Sequence, residues 1–256
     1  MQRVSRRRKS QVATLISAPT RAVMSSVVAA AFAALYYVSW PAAMGFLIIA
    51  VGLFAWGWPT LLALPTRAGL RVLLIAVTAA AFGVVFATGD LSYLTLVTAG
   101  AIIGAFGREL LRRDGRPRLV ESLSASMSGI AVIVSAAGWA AIGEGQIQVA
   151  VVLTAAVTLA AGSTISALHL KPWPHAIVAI AFSVGLGVVG GQILPGIDTL
   201  VGGLIGACTG LLSAALHVLL GRYPSAGRPW AAISAALLPL VVIGVPVYVL
   251  LRFYLI

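Results

Sequence analysis

Charge is scarce in this chain. Asp, Glu, Lys and Arg supply 9% of 256 residues, and only six of them are acids. Soluble domains carry about 25% charged residues. A chain that is 61% hydrophobic with a mean hydropathy of +1.06 therefore lacks the polar surface to meet water on all sides. That excludes a soluble globular fold. Strict apolar–polar alternation over stretches of about ten residues is also missing, which excludes a membrane β-barrel. The single cysteine, Cys208, lies inside an apolar stretch, so the chain has neither an intrachain disulfide nor a thiolate metal site. His169, His175 and His217 have no second His or Cys at ligand spacing on the same helix, and Glu109, Asp114 and Glu121 match no phosphotransferase pattern. The most informative absence lies within the apolar stretches, where no Asp, Glu, Lys or Arg falls near the middle of a span. Proton-coupled antiporters and membrane-embedded hydrolases need such groups, so both classes are disfavoured. The chain reads as non-enzymatic, with no catalytic residue, cofactor or metal ligand.

What remains is a succession of continuously apolar stretches of about 20 residues, the length that crosses a hydrocarbon core of roughly 30 Å as a helix. In lipid each backbone amide and carbonyl must be paired internally, which a helix achieves alone. The reading is all-α: a polytopic transmembrane bundle of nine spans. They cover residues 21–40, 42–64, 70–88, 91–111, 120–142, 146–168, 175–194, 197–220 and 230–251. Pro59 and Pro65 interrupt the second and third, and Pro239 with Pro246 should kink the ninth, because proline removes a helical donor. Residues 1–20 form a basic tail ahead of a single transmembrane domain, 21–254, and the first span reads as a retained signal anchor.

The net charge of +11 sits at span ends. Placing the N-terminus in the cytoplasm puts every Lys and Arg except Arg252 inside, while Asp90, Glu144 and Asp198 mark three short outer loops. The C-terminus then lies outside. This distribution points to a cell membrane and to anionic lipid headgroups on its cytoplasmic side, not to nucleic acid. Arg-rich, Ala-, Gly- and Val-rich usage points to a bacterial source.

Two parts of the chain resemble each other. Gly83-Val-Val recurs at Gly187-Val-Val, Gly100-Ala-x-x-Gly104 at Gly206-Ala-x-x-Gly210, and Gly115-Arg-Pro at Gly227-Arg-Pro. Spans two to five (42–142) would then repeat as spans six to nine (146–251), a parallel 4+4 arrangement after the first span. Transporters built this way place their sites at the repeat interface.

Gly185-x-Gly187-x-x-Gly190-Gly191 has dinucleotide-binding spacing, but within an apolar helix its amides are already paired, so it is rejected. Gly100 with Gly104, and Gly202, Gly206 and Gly210, read as close helix-packing faces. The most polar segment carries Arg108, Arg112, Arg113, Arg116 and Arg118, whose guanidinium forks suit phosphate or anionic-lipid contacts. Ser122 and Ser126 fall on one helix face and Ser124 and Ser128 on another. The expected function is a permease-like transporter or lipid-handling protein with its path between the four-span halves. The alternative is a non-catalytic scaffold subunit of a cell-envelope or respiratory complex, meeting a homo-oligomer or membrane-protein partner.

Overall fold

A computed structural model describes residues 15–113, 115, 117–168 and 171–254. Among these residues the structure is all helical, with nine helical segments long and apolar enough to cross a membrane. The helices are α1 (Ala18–Val38), α2 (Trp40–Leu61), α3 (Ala68–Thr88), α4 (Leu94–Leu111, entered through a 3-10 turn), α5 (Leu119–Ile142), α6 (Gln146–Ile165), α7 (Pro172–Ile193), α8 (Thr199–Gly221), α9 (Pro229–Val242) and α10 (Gly244–Tyr254). Helix starts follow local chemistry. Ser17 caps α1, whose Pro19 needs no donor; Asp90 caps the 3-10 turn before α4 and Asp198 caps α8; and Pro172 and Pro229 open α7 and α9. The Ser92 amide and hydroxyl bound to Asp90 hold its carboxyl below the usual aspartate range.

The ninth span differs from a single kinked helix. It is divided at Ile243 into α9 and α10, while Pro239 stays inside α9. Pro246 has no amide to give Val242, so the carbonyl of Val242 instead accepts the Ser135 hydroxyl at 2.6 Å. Leu240 O accepts Trp139 Nε1 at 2.9 Å. Both donors come from α5, which satisfies the freed carbonyls without water. Gly138 and Gly244 lie backbone to backbone at this crossing. Pro59 likewise lies within α2, and Ala63 turns the chain out of it with a left-handed φ of 51°.

Helix ends are tied together on two faces. On one, Ile16 N donates to Gly227 O at 2.8 Å, Ser225 Oγ donates to Leu61 O, and Arg118 Nη1 donates to Ala63 O at 3.0 Å. The start of α1 and the α2–α3, α4–α5 and α8–α9 connections therefore share this side, called the N-terminal face below. On the other, Tyr36 donates to Gly143 O. The core centres on α5, two-thirds buried (67%), with Trp139 packed edge-on against Phe32 at 5.1 Å. By contrast α4 and α7 are only 22% buried and form the outer wall. α7 leans on α8 through Gly187, Gly191, Gly202, Gly206 and Gly210, where a methyl group would meet facing backbone.

Candidate functional site: a polar cavity at the N-terminal face

Apolar helices packed in lipid leave few places for polar atoms to gather, so a cavity lined by several of them stands out. A cavity of about 170 Å³ lies between α1 and α8, bounded by α6 and α9. It is lined by Ala18, Arg21, Ala22 and Ser25 of α1, Ser163 of α6, Ser166 just past its end, and Ser213 and His217 among residues of α8. From Ala18 to Ser25 it descends about two helical turns, roughly 10 Å. α1 packs along α6 and α9, and α8 packs along α6 and α7, which leaves the space between α1 and α8 to be lined by side chains.

Each polar group has a local reason to be there. Arg21 falls one turn after the Ser17 cap, and its Nη1 donates to Ile16 O at 3.0 Å, holding the half-buried guanidinium against α1. Ser25 Oγ is committed to Ala236 O at 2.6 Å, joining α1 to α9. Ser26 joins α1 to α6, donating to Ala160 O at 2.9 Å and meeting Thr164 Oγ1 at 3.0 Å. Ser166 Oγ lies 3.0 Å from His175 Nε2, and the His175 and His217 rings are stacked at 4.1 Å with 23° between their planes. That stack joins the start of α7 to the end of α8. Below it the hydroxyls continue: Thr209 Oγ1 donates to Thr158 Oγ1 at 2.9 Å, and Ser183 donates to Thr158 O at 3.1 Å.

Two features bear on what the cavity and its surroundings can bind. Ser213 Oγ is buried without a hydrogen-bond partner among the described residues, and so is His175 Nδ1. Arg21 has no carboxylate in ion-pair range among those residues, whose recorded ion pairs all involve Glu109 or Glu121. A partly buried cation without a counter-charge is costly. The cavity holds a cation and no acid among its lining residues.

The arginine-rich segment is organised differently from a row of free guanidinium forks. Arg108 and Arg112 both turn onto Glu109, Arg112 at 2.6 Å, and Glu109 also accepts Ser122 Oγ at 2.7 Å. Arg108 further reaches Ser122 at 3.1 Å and Ser126 at 3.2 Å, so the serine face of α5 is part of this knot. Arg118 pairs with Glu121 in the open, and Arg113 is exposed. Arg116, Asp114 and His169 lie outside the described residues, as does the basic run before Leu15. Of the glycines, Gly202, Gly206 and Gly210 face α7, Gly104 touches Leu73 of α3, and Gly100 meets nothing within 4 Å. No group of three or more His, Cys, Asp or Glu is placed to hold a metal among the described residues.

The cavity does not lie between residues 42–142 and 146–251, where a path was expected. The first span forms one wall of it, facing helices of the second set. Its residues carried only a faint signal in sequence. Ser163 and Ser166 sit three apart, Ser213 and His217 four apart, each pair on one helical face near a span end. Comparison with protein-family models, curated proteins and solved structures finds no match to this chain, so its function is read from its own geometry.

Proposed function

We propose that this chain is a permease-like, multi-pass membrane protein that admits a small polar solute at the cavity between α1 and α8. The carrying observation is the cavity itself: a hollow between helices that gathers Arg21, His217 and four serines and includes a buried hydroxyl with no partner among the described residues. Its 170 Å³ is below the roughly 300–1,000 Å³ of sites for larger organic ligands, which favours a small solute. Thr158, Thr209 and Ser183 extend the polar seam deeper into the bundle. Ser166 Oγ lies within hydrogen-bond reach of His175 Nε2, but His175 Nδ1 has no orienting partner among the described residues, and on that ground the chain is read as non-enzymatic.

The charge distribution supports a cytoplasmic N-terminal face and an external C-terminus in a bacterial cell membrane. Exposed Arg113 and Arg118 then meet anionic headgroups; the Arg118–Glu121 pair is open to water and weak enough to exchange. A parallel repeat rests on the recurring motifs alone, because α3 packs on α5 in the first set whereas α6 packs on α8 in the second.

One observation favours the scaffold reading. α4 presents exposed Gly100, Ile103, Phe106 and Leu110 on the outer wall, a surface suited to a membrane-protein partner or a second copy. Osmotic shrinkage and recovery of proteoliposomes, followed by light scattering with a panel of small polar solutes, separates the two. Transport predicts recovery faster than in protein-free vesicles for at least one solute, abolished by Ala22→Phe, which fills the cavity. Equal recovery for every solute, with a stoichiometric protein partner retained on gentle extraction, would overturn transport in favour of the scaffold.

A further inference from the structure

We propose that the cavity between α1 and α8 is a binding site for a phosphate-like oxyanion, with Arg21 as its charged anchor. Three observations carry this, and they rest on the cavity rather than on transport through it. First, Arg21 is half-buried with one nitrogen committed to Ile16 O and no carboxylate partner among the described residues. Second, Ser213 lines the cavity, is 4% exposed, and its hydroxyl has no hydrogen-bond partner among the described residues. Third, no acid lines the cavity; the other polar walls are Ser25, Ser163, Ser166 and His217.

The chemistry follows from what those groups do. A guanidinium offers several N–H donors in a fixed plane that matches two oxygens of a phosphate or sulfate. The Ser213 hydroxyl can donate to a third oxygen, and an imidazole edge at His217 adds a further polar contact. An oxyanion supplies the counter-charge that Arg21 lacks and the partner that Ser213 lacks. A neutral solute would satisfy the hydroxyl and leave the guanidinium uncompensated.

The same phosphate chemistry has two sources: a free anion from the aqueous side, or the headgroup of a lipid lying against α1. Calorimetric titration of the purified full-length protein in neutral detergent with inorganic phosphate tests the first. Native mass spectrometry from nanodiscs of phosphatidylcholine with or without phosphatidic acid tests the second. Binding in the first is expected to weaken at least about tenfold in Arg21→Gln, the scale of one lost charge-assisted hydrogen bond. Arg21→Lys should retain part of it, and Ser213→Ala should weaken it several-fold. Arg252→Gln, on the opposite face, should leave it unchanged. If only phosphatidic acid is retained, and retention depends on Arg21 and Ser213, the oxyanion is a lipid headgroup.

Neither ligand bound by the native protein, or binding indifferent to both Arg21→Gln and Ser213→Ala, overturns the site. Chloride binding with the same residue dependence but no phosphate or lipid binding overturns the oxyanion assignment. Ser213→Ala keeps the test open should Arg21→Gln not fold. Oxyanion binding without solute flux in proteoliposomes keeps this inference and removes transport; flux without oxyanion binding does the reverse.

Discussion

Glu109 shows how one residue can redirect its neighbours. In sequence it sits among arginines at a span end, and the natural expectation is that the arginines face outward to phosphate. In the fold it is 3% exposed and accepts from Arg108, Arg112 and Ser122. Two of the five arginines are thereby spent on an internal pair. Glu109→Gln should be strongly destabilising, by about 3–5 kcal/mol, because it leaves buried guanidinium charge without its partner. Thermal unfolding in detergent checks this, with Arg113→Gln as an exposed comparison that should move little. Equal melting temperatures for native protein and Glu109→Gln would show that the knot is not a stabilising unit. Arg21 is the converse case: an arginine with no such acid beside it, which is why the cavity and not the α4–α5 loop is the better anion site.

Helix pairing here is decided by how close backbones come. In a bilayer the lipid is as apolar as the side chains, so packing must supply what the hydrophobic effect does not. α7 and α8 solve this by removing side chains along their shared face: Gly206 lies against the backbone of Ser183 and Val184, and Gly202 against that of Gly187. Gly203, one position on from Gly202, would place a methyl group 3.3 Å from a side-chain atom, Val188 Cγ2, with no facing backbone within 4 Å. Gly206→Leu should therefore cost about 1–3 kcal/mol or more through overpacking, whereas Gly203→Leu should be tolerated far better. Size-exclusion profiles and melting curves of the pair decide it; equal behaviour would mean that the two helices can separate without loss. Spacing alone revealed the Gly202–Gly206–Gly210 face, but not its partner. The partner glycines, Gly187 and Gly191, sit in a segment whose spacing resembles a nucleotide motif, and only the helix around them removes that reading.

For the whole molecule, the apolar stretches alternate between two faces, and the charges divide with them. The N-terminal face collects Arg21, Arg67, Arg71, Arg222 and Arg228, while Glu144 and Asp198 lie on the other. A cytoplasmic N-terminal face makes a direct prediction. With Cys208→Ala as background, Glu144→Cys should react with a membrane-impermeant maleimide in intact cells, and Arg222→Cys only after permeabilisation. The opposite pattern would reverse the orientation and place the cavity mouth outside.

Span number, span limits and the two charged faces were legible in the sequence, because each depends on a run of residues that no distant contact can undo. Nine stretches of sufficient length and hydropathy become, among the described residues, nine helical segments long and apolar enough to cross a membrane, with limits shifted by only a few residues by caps such as Ser17 and prolines such as Pro172. Tertiary structure alone decided which polar groups share a space. Ser166, His175 and His217 lie on three separate stretches of sequence, yet a serine touches one imidazole and the two rings stack. Periodicity gives the face of a helix but not the helix that it meets. The break at Ile243 shows the same limit: Pro246 announces a lost hydrogen bond, and only the fold brings Ser135 and Trp139, about a hundred residues away in sequence, to satisfy the carbonyls of Val242 and Leu240. The cavity beside Arg21 is the last such case, since it exists where α1 and α8 are each held to α6 and leave between them a gap that no single segment encodes.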